Sequence, residues 1–233
     1  MPCTLPASLA DAAVCRGSFH AVLGGEAGEA VFADFSAALQ KAQAEGRILT
    51  ASLFQYENHL FFYAEGLNRP FTPQGLCPAL DAALLPWPPA LGEAAPRPWA
   101  AMQPYFYHDV PTTAADWQQG RCPQRRRGRI ALLPPDSWCS YMEHHLRIVT
   151  EGLVEGDRWH LICVQEGVLF SYLEEPRTNV NIKHQPGAHS PELDAWIAAD
   201  PESHFARFTP EQKAHPDSSH NFVFLPRIAG TED

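Results

Sequence analysis

The sequence predicts an α+β fold: tandem ferredoxin-like repeats that form, within one chain, the pair of antiparallel sheets of a dimeric α+β barrel. Two observations lead there. The strand-like segment Leu60-Phe61-Phe62-Tyr63-Ala64-Glu65 returns 109 positions later as Leu169-Phe170-Ser171-Tyr172-Leu173-Glu174. Around each copy runs the same order of strand, amphipathic helix, strand, tight turn and repeated strand, with a further strand closing the half after a long irregular stretch. Each such unit makes a four-stranded sheet with helices on one face. The apolar faces left over are expected to cover each other.

The elements follow in order. Residues 1–17 read as an arm with a short helix over 7–14, ahead of a first strand at 19–23. Val31, Phe32, Phe35, Leu39 and Ala42 fall at three- and four-residue spacing and predict a helix that Gly46 stops. Strands 48–56 and 60–65 join at Glu57-Asn58, a second helix fits 77–85, and strand 102–108 closes the unit of residues 18–110. A linker is expected over 111–128. The second unit, 129–228, repeats the order: strand 129–133, helix 138–153 with Asp136 or Ser137 as N-cap, strand 158–165, a turn at Glu166-Gly167, and strand 168–174. A loop over 176–189, helical segments at 191–199 and 201–208, and a last strand at 221–226 complete it.

Composition narrows the function classes. The 233 residues are 45% hydrophobic, enough for a real core, and the 22 prolines scatter between periodic segments. A formal charge of -10 disfavours a nucleic-acid partner. The one basic run, Arg125-Arg126-Arg127-Gly128-Arg129, reads as a solvated linker end. No apolar stretch reaches the ~20 residues of a membrane span, so no membrane partner and a cytoplasmic location are expected. The six cysteines show no C-x-x-C pair and are expected as free thiols, with Cys163 a small core residue. Adjacent His144 and His145, and His184 and His189 in a loop, give no zinc spacing. Neither a metal nor a cofactor is expected, and there is no Gly-rich phosphate loop.

The two halves differ chemically. The helix of the second carries Tyr141, His144 and His145, where a shift of 109 positions gives Phe32, Phe35 and Ser36 in the first. Tyr141 and His145 lie one turn apart on one helix face, while His144 points elsewhere and Glu143 and Glu151 face solvent. Histidine suits general acid-base catalysis near neutrality because its unperturbed pKa is about 6.5. Trp159, Tyr172, Glu174 and Phe205 are the candidate substrate contacts, an aromatic face suiting the apolar side of a sugar ring.

The strand Ile130-Ala131-Leu132-Leu133, the helix with Tyr141-Met142-Glu143-His144-His145 and the repeated strand 169–174 resemble the L-rhamnose mutarotase family of the dimeric α+β barrel superfamily. Residues 196–208 and Phe222-Val223-Phe224-Leu225-Pro226 continue the resemblance. It implies a catalytic pair at Tyr141 and His145, and Phe205-Ala206 stands where the family has adjacent tryptophans. The function it implies is mutarotation of a small monosaccharide, with His145 as the acid-base and Tyr141 as its helper, in a monomer or homodimer. Two rivals stand beside it: a non-catalytic sugar-binding module on the same fold, and a cofactor-independent monooxygenase or haem-linked enzyme, by analogy of fold.

Overall fold

A computed structural model describes residues 6–177, 183–184, 187, 189–213 and 216–231, with backbone alone at 154–155 and 183–184. The chain forms two compact units, each discontinuous in sequence. One takes the chain up to Met102, then Pro111–Pro123 and the segment from Pro226 on; the other takes Gln103–Val110 and Gln124–Leu225. The contiguous boundaries expected at 110 and 128 differ from these because both closing segments divide between sheets.

In the first unit β1 (Val14–Val22) leads through α1 (Glu29–Ala44) to β2 (Ile48–Tyr56), and a turn at Glu57-Asn58 returns the chain as β3 (His59–Leu67). α2 (Pro78–Ala83) and the short β4 (Ala100–Ala101) follow. The strands stand in the order β2-β3-β1-β4, all antiparallel, which is the ferredoxin-like arrangement. Phe35, Leu39 and Ala42 recur at helical spacing and bury one face of α1 against Leu53, Leu60 and Phe62. Gly46 ends that helix region at φ +68°, a left-handed conformation that side chains resist. The helix expected over 7–14 is one 3-10 turn, Ala7–Leu9, because the chain from Val14 is drawn into pairing with β3.

The second unit repeats the plan. Past α3 (Ala114–Gln118), which belongs to the first unit and occupies the expected linker, come β6 (Arg125–Leu132), α4 (Pro135–Glu151), β8 (Leu161–Gln165), β9 (Val168–Glu175), α5 (Pro191–Ala198) and β11 (Val223–Leu225). Their strand order β11-β6-β9-β8 matches that of the first unit. β7 (Val154–Glu155) and β10 (Lys183–His184) make a separate two-stranded ladder. The N-cap of α4 is Pro134, which makes no side-chain cap, and not Asp136 or Ser137, because Pro135 already starts the helix. Glu166 and Gly167 both take positive φ, 50° and 77°, as the two-residue hairpin between β8 and β9 requires. Most of the loop expected over 176–189, and the side chain of His184, lie outside the described residues.

Each sheet gains a fifth strand from the other half of the chain. After β4 and a single residue, Met102, the chain continues as β5 (Gln103–Phe106) and pairs with β8; after β11 and Pro226 it continues as β12 (Arg227–Gly230) and pairs with β2. The strand expected over 102–108 does not close the first unit, and the strand at 221–226 is not the last one. Both added strands cover what would be an open sheet edge. Both carry a register shift, between Pro104 and Phe106 and between Arg227 and Ala229.

The basic run is strand, not linker end, because it pairs with the acidic end of β9. Arg126 lies opposite Glu174 at 3.6 Å, Arg127 reaches Glu175 at 3.0 Å and Asp217 at 2.7 Å, and Arg125 alone of the three is largely exposed. The repeated Tyr-x-Glu has the same geometry in both units: Tyr63 donates to Glu65 and Tyr172 to Glu174, each at 2.7 Å. In the first unit Arg121 closes a bidentate pair on Glu65 at 2.7 and 2.9 Å, with both side chains buried. Burial alone would push the Glu65 carboxyl up, but Arg121 and Arg16 outweigh it and hold it below its ordinary range.

Among the described residues no helix is long and apolar enough to cross a membrane, no group of three or more potential ligands is placed to hold a metal, and Cys15, Cys77, Cys122, Cys139 and Cys163 form no disulfide. Replacing Arg121 with Met leaves the buried Glu65 carboxylate without its bidentate partner. Urea unfolding is expected to show a loss of about 3 kcal/mol. A loss below about 1 kcal/mol, the value of an exposed pair, would contradict the buried arrangement.

Candidate active site

A cavity of about 380 Å³ lies within the second unit, between the sheet and helices α4 and α5. Its volume is in the range of small-molecule sites. Tyr141, His145 and Phe205 line it, together with Trp196 from α5, Phe106 and His108 from the β5 segment, and Arg129 from β6. The register shift in β5 turns both Tyr105 and Phe106 toward α4, where each ring meets His145 edge-on at 5.7 and 4.8 Å.

The register explains how this unit makes room for the cavity. On the helix-facing side, one row across the first sheet reads Phe19, Phe62, Leu53 and Ala229; the matching row across the second reads Arg129, Ser171, Ile162 and Phe106. Phe62 is surrounded by the rings of Phe19, Phe35, Phe71 and Trp99 at 5.8 to 6.4 Å, so the first unit is filled. Ser171 removes that central ring. The buried helix residues also correspond: Phe35, Leu39 and Ala42 in α1 match Tyr141, His145 and Ile148 in α4. The true helix offset is thus one turn from the 109-position shift, and the counterparts of Tyr141 and His145 are Phe35 and Leu39, not Phe32 and Ser36. The helix-to-strand connection is longer in the second unit, which a constant shift cannot accommodate.

His145 is 5% exposed, and its Nδ1 lies 2.9 Å from the Tyr141 carbonyl. A carbonyl only accepts, so Nδ1 carries the proton and Nε2 the lone pair. Burial lowers the His145 pKa to about 4, against the raising effect of that hydrogen bond, with His144, His204 and His108 adding to the depression. The imidazole is therefore a neutral acceptor at physiological pH. The hydrogen bond that Tyr141 accepts from His145 is made by its backbone: its phenol is pushed up to about 12, first by burial, and its ring lies tilted by 33° with its centre 4.2 Å from that of His145.

His108 and His160 also line the cavity, and Phe106 stands among three imidazoles, 4.9 Å from His108, 4.8 Å from His145 and 6.2 Å from His160. Burial lowers His108 too. A Cβ on Gly156 would stand 1.8 Å from His108 Cδ2, so glycine is what lets the chain pass beneath this ring. Asp157 is buried and holds Arg177 at 3.4 Å, and both reach the cavity.

Three expected substrate contacts fall elsewhere. Trp159 sits in a turn before β8, which begins at Leu161 and not at 158, and it does not line the cavity. Tyr172 and Glu174 point to the opposite side of β9 from Leu169 and Ser171, since side chains alternate along a strand, and they bond each other as their copies do in the first unit. His144 packs on Trp196, with ring centres 5.3 Å apart, and does not line the cavity. Sequence reasoning missed Arg129, Phe106, His108 and Trp196. The signal available for Arg129 was its place two residues before Ala131 on the core face of a strand.

No protein-family model and no curated protein matches the chain. Among solved structures, a candidate monooxygenase from Lactobacillus acidophilus NCFM aligns over 94% of this chain and 96% of its own, at 7% identity and a TM-score of 0.38. An anthrone oxidase-like protein aligns over 94% and 92%, at 7% identity and a TM-score of 0.37.

The neutral imidazole makes stability depend on pH. The folded pKa of His145 lies below the unfolded value of about 6.5, so the unfolded chain binds more protons between those values. Its contribution is complete above about pH 6.5 and is lost as pH falls toward 4. Between pH 7.5 and 5, His145→Gln is expected to reduce the drop in unfolding free energy by about 2 kcal/mol. Urea titrations at the two pH values check this, and an unchanged drop would show that His145 is not held neutral.

Proposed function

We propose that the cavity takes up a small, largely aromatic molecule and that His145 removes a proton from it, opening a cofactor-independent oxygenation by dioxygen. The observation that carries this reading is the fixed tautomer of His145, which leaves an unprotonated Nε2 on a residue lining an aromatic chamber. A proton from an activated CH2 group of an enolisable substrate, or the O–H proton of a phenolic one, passes to Nε2. The resulting carbanion or phenolate gives an electron pair from carbon to dioxygen, the peroxide anion formed takes the proton back from His145 to become a hydroperoxide, and loss of water with the hydrogen still on that carbon leaves one oxygen atom in a new carbonyl and the other in water.

Sugar mutarotation asks more of the same residues. Opening a hemiacetal needs a proton delivered to the ring oxygen as one leaves the anomeric hydroxyl. An imidazole with a pKa near 4 is almost never the protonated donor at pH 7, and the Tyr141 phenol, near 12, is a weak acid. A non-catalytic binding module would use the same chamber and need no base.

Dioxygen uptake across a panel of anthrones and naphthols separates these. At least one compound is expected to show uptake above its spontaneous rate, and His145→Gln to lower that rate about 10² to 10⁴-fold. Uptake equal in wild type and His145→Gln would overturn the reading, and accelerated anomeric exchange of 6-deoxyhexoses would replace it with mutarotation. Tyr141→Phe keeps the backbone carbonyl that fixes the tautomer. Its rate is expected within about tenfold of wild type, the removal of one neutral hydrogen-bonding group costing about 1 kcal/mol; a loss as large as that of His145→Gln would assign the phenol itself a chemical role.

A further inference from the structure

Arg129 lines the cavity, and among the described residues no carboxylate forms an ion pair with it. It leaves β6 on the face shared with Ala131, and its Cζ lies 4.3 Å over the Phe222 ring, which also lines the cavity. Among the described residues its guanidinium forms no ion pair and no hydrogen bond, and its Nε is buried without an acceptor. Each charged neighbour is otherwise engaged or repulsive. Arg177 is committed to Asp157 at 3.4 Å and repels Arg129; Glu202 acts on Arg129 only at a distance, and its carboxylate accepts a hydrogen bond from Asn221. The phenols of Tyr105 and Tyr141 complete the surroundings and are neutral at physiological pH. Arg129 is half-buried, and burying its Nε without an acceptor is costly, a cost that falls when an anion occupies the space in front of the guanidinium.

We propose that the molecule taken into this cavity carries a carboxylate, and that Arg129, backed by the Phe222 ring, anchors it. This rests on the reading of the cavity as the substrate site and names the class of substrate. A guanidinium is planar and carries its N–H donors in a fixed fork, which matches the two oxygens of a carboxylate. A monoanion fits better than a phosphate because Asp157 and Glu202 line the same cavity and repel a second negative charge. The apolar remainder of the ligand then lies among Phe106, Trp196 and Phe205, beside His145.

Calorimetric titration of the full chain with 2-naphthoate, its neutral isostere 2-naphthamide and the dianion 2-naphthyl phosphate tests this. Naphthoate is expected to bind at least about tenfold more tightly than either. Arg129→Gln is expected to bring naphthoate down to the affinity of the amide while leaving the amide unchanged. Equal binding of acid and amide by wild type, a preference that survives in Arg129→Gln, tighter binding of the phosphate, or no binding of naphthoate would each overturn the proposal. Should Arg129→Gln not fold, the ¹⁵Nε resonance of Arg129 in wild type replaces it: naphthoate is expected to shift this signal and naphthamide to leave it in place, and the same small shift with both would be fatal. The preference for naphthoate is expected to persist in His145→Gln, so the failure of the catalytic reading and the failure of the anchor are read separately.

Discussion

The pairing of β5 with β8 is the constraint on which the site depends. Without it β8 would be an edge strand with unpaired backbone groups, and the wall of the cavity nearest His145 would be missing. With it, a segment that follows the first half in sequence delivers Phe106 and His108 to the second unit. The pairing of β12 with β2 is its counterpart, with a register shift at the same point. In the first unit that strand delivers Ile228 and Ala229 to the core; in the second it delivers Tyr105 and Phe106 to the core cluster around Tyr141, and Phe106 also lines the cavity.

From the same scaffold, three substitutions in equivalent places separate a filled core from a cavity. An aromatic cluster around Phe62 holds the first unit together by ring contacts, and such close packing leaves no room for a ligand. Serine at 171 and arginine at 129 remove two of those rings, and histidine at 145 stands where Leu39 packs. The cost is a less apolar core in the second unit. The result is a chamber lined by both the His145 imidazole and the Arg129 guanidinium.

Much of the architecture was legible in the sequence because its signals are local. The stripe of α1, the Glu166-Gly167 turn and the repeated strand each announce themselves within a few residues, and Tyr141 and His145 stood out because polar groups at buried helical spacing break the pattern of the first half. The strand crossings were not legible. Periodicity shows that residues 103–106 and 227–230 can be strands, but the choice of sheet is set by partners far away in sequence. The arginine run was misread for a related reason: charge masked the alternation of β6, whose partners Glu174 and Glu175 lie in β9. Trp159, Tyr172 and Glu174 looked like contacts because their residue types suit a sugar, but strand register and a turn place them away from the cavity.

The central claim is that His145 is held as a neutral imidazole protonated on Nδ1, and long-range ¹H–¹⁵N spectra of histidine-labelled protein test it most directly. The expected result, from pH 7.5 down to about 5, is one His145 spin system with a protonated Nδ1 and a pyridine-like Nε2, titrating only near pH 4. A proton on Nε2, or a midpoint at the ordinary value of about 6.5, would contradict the account.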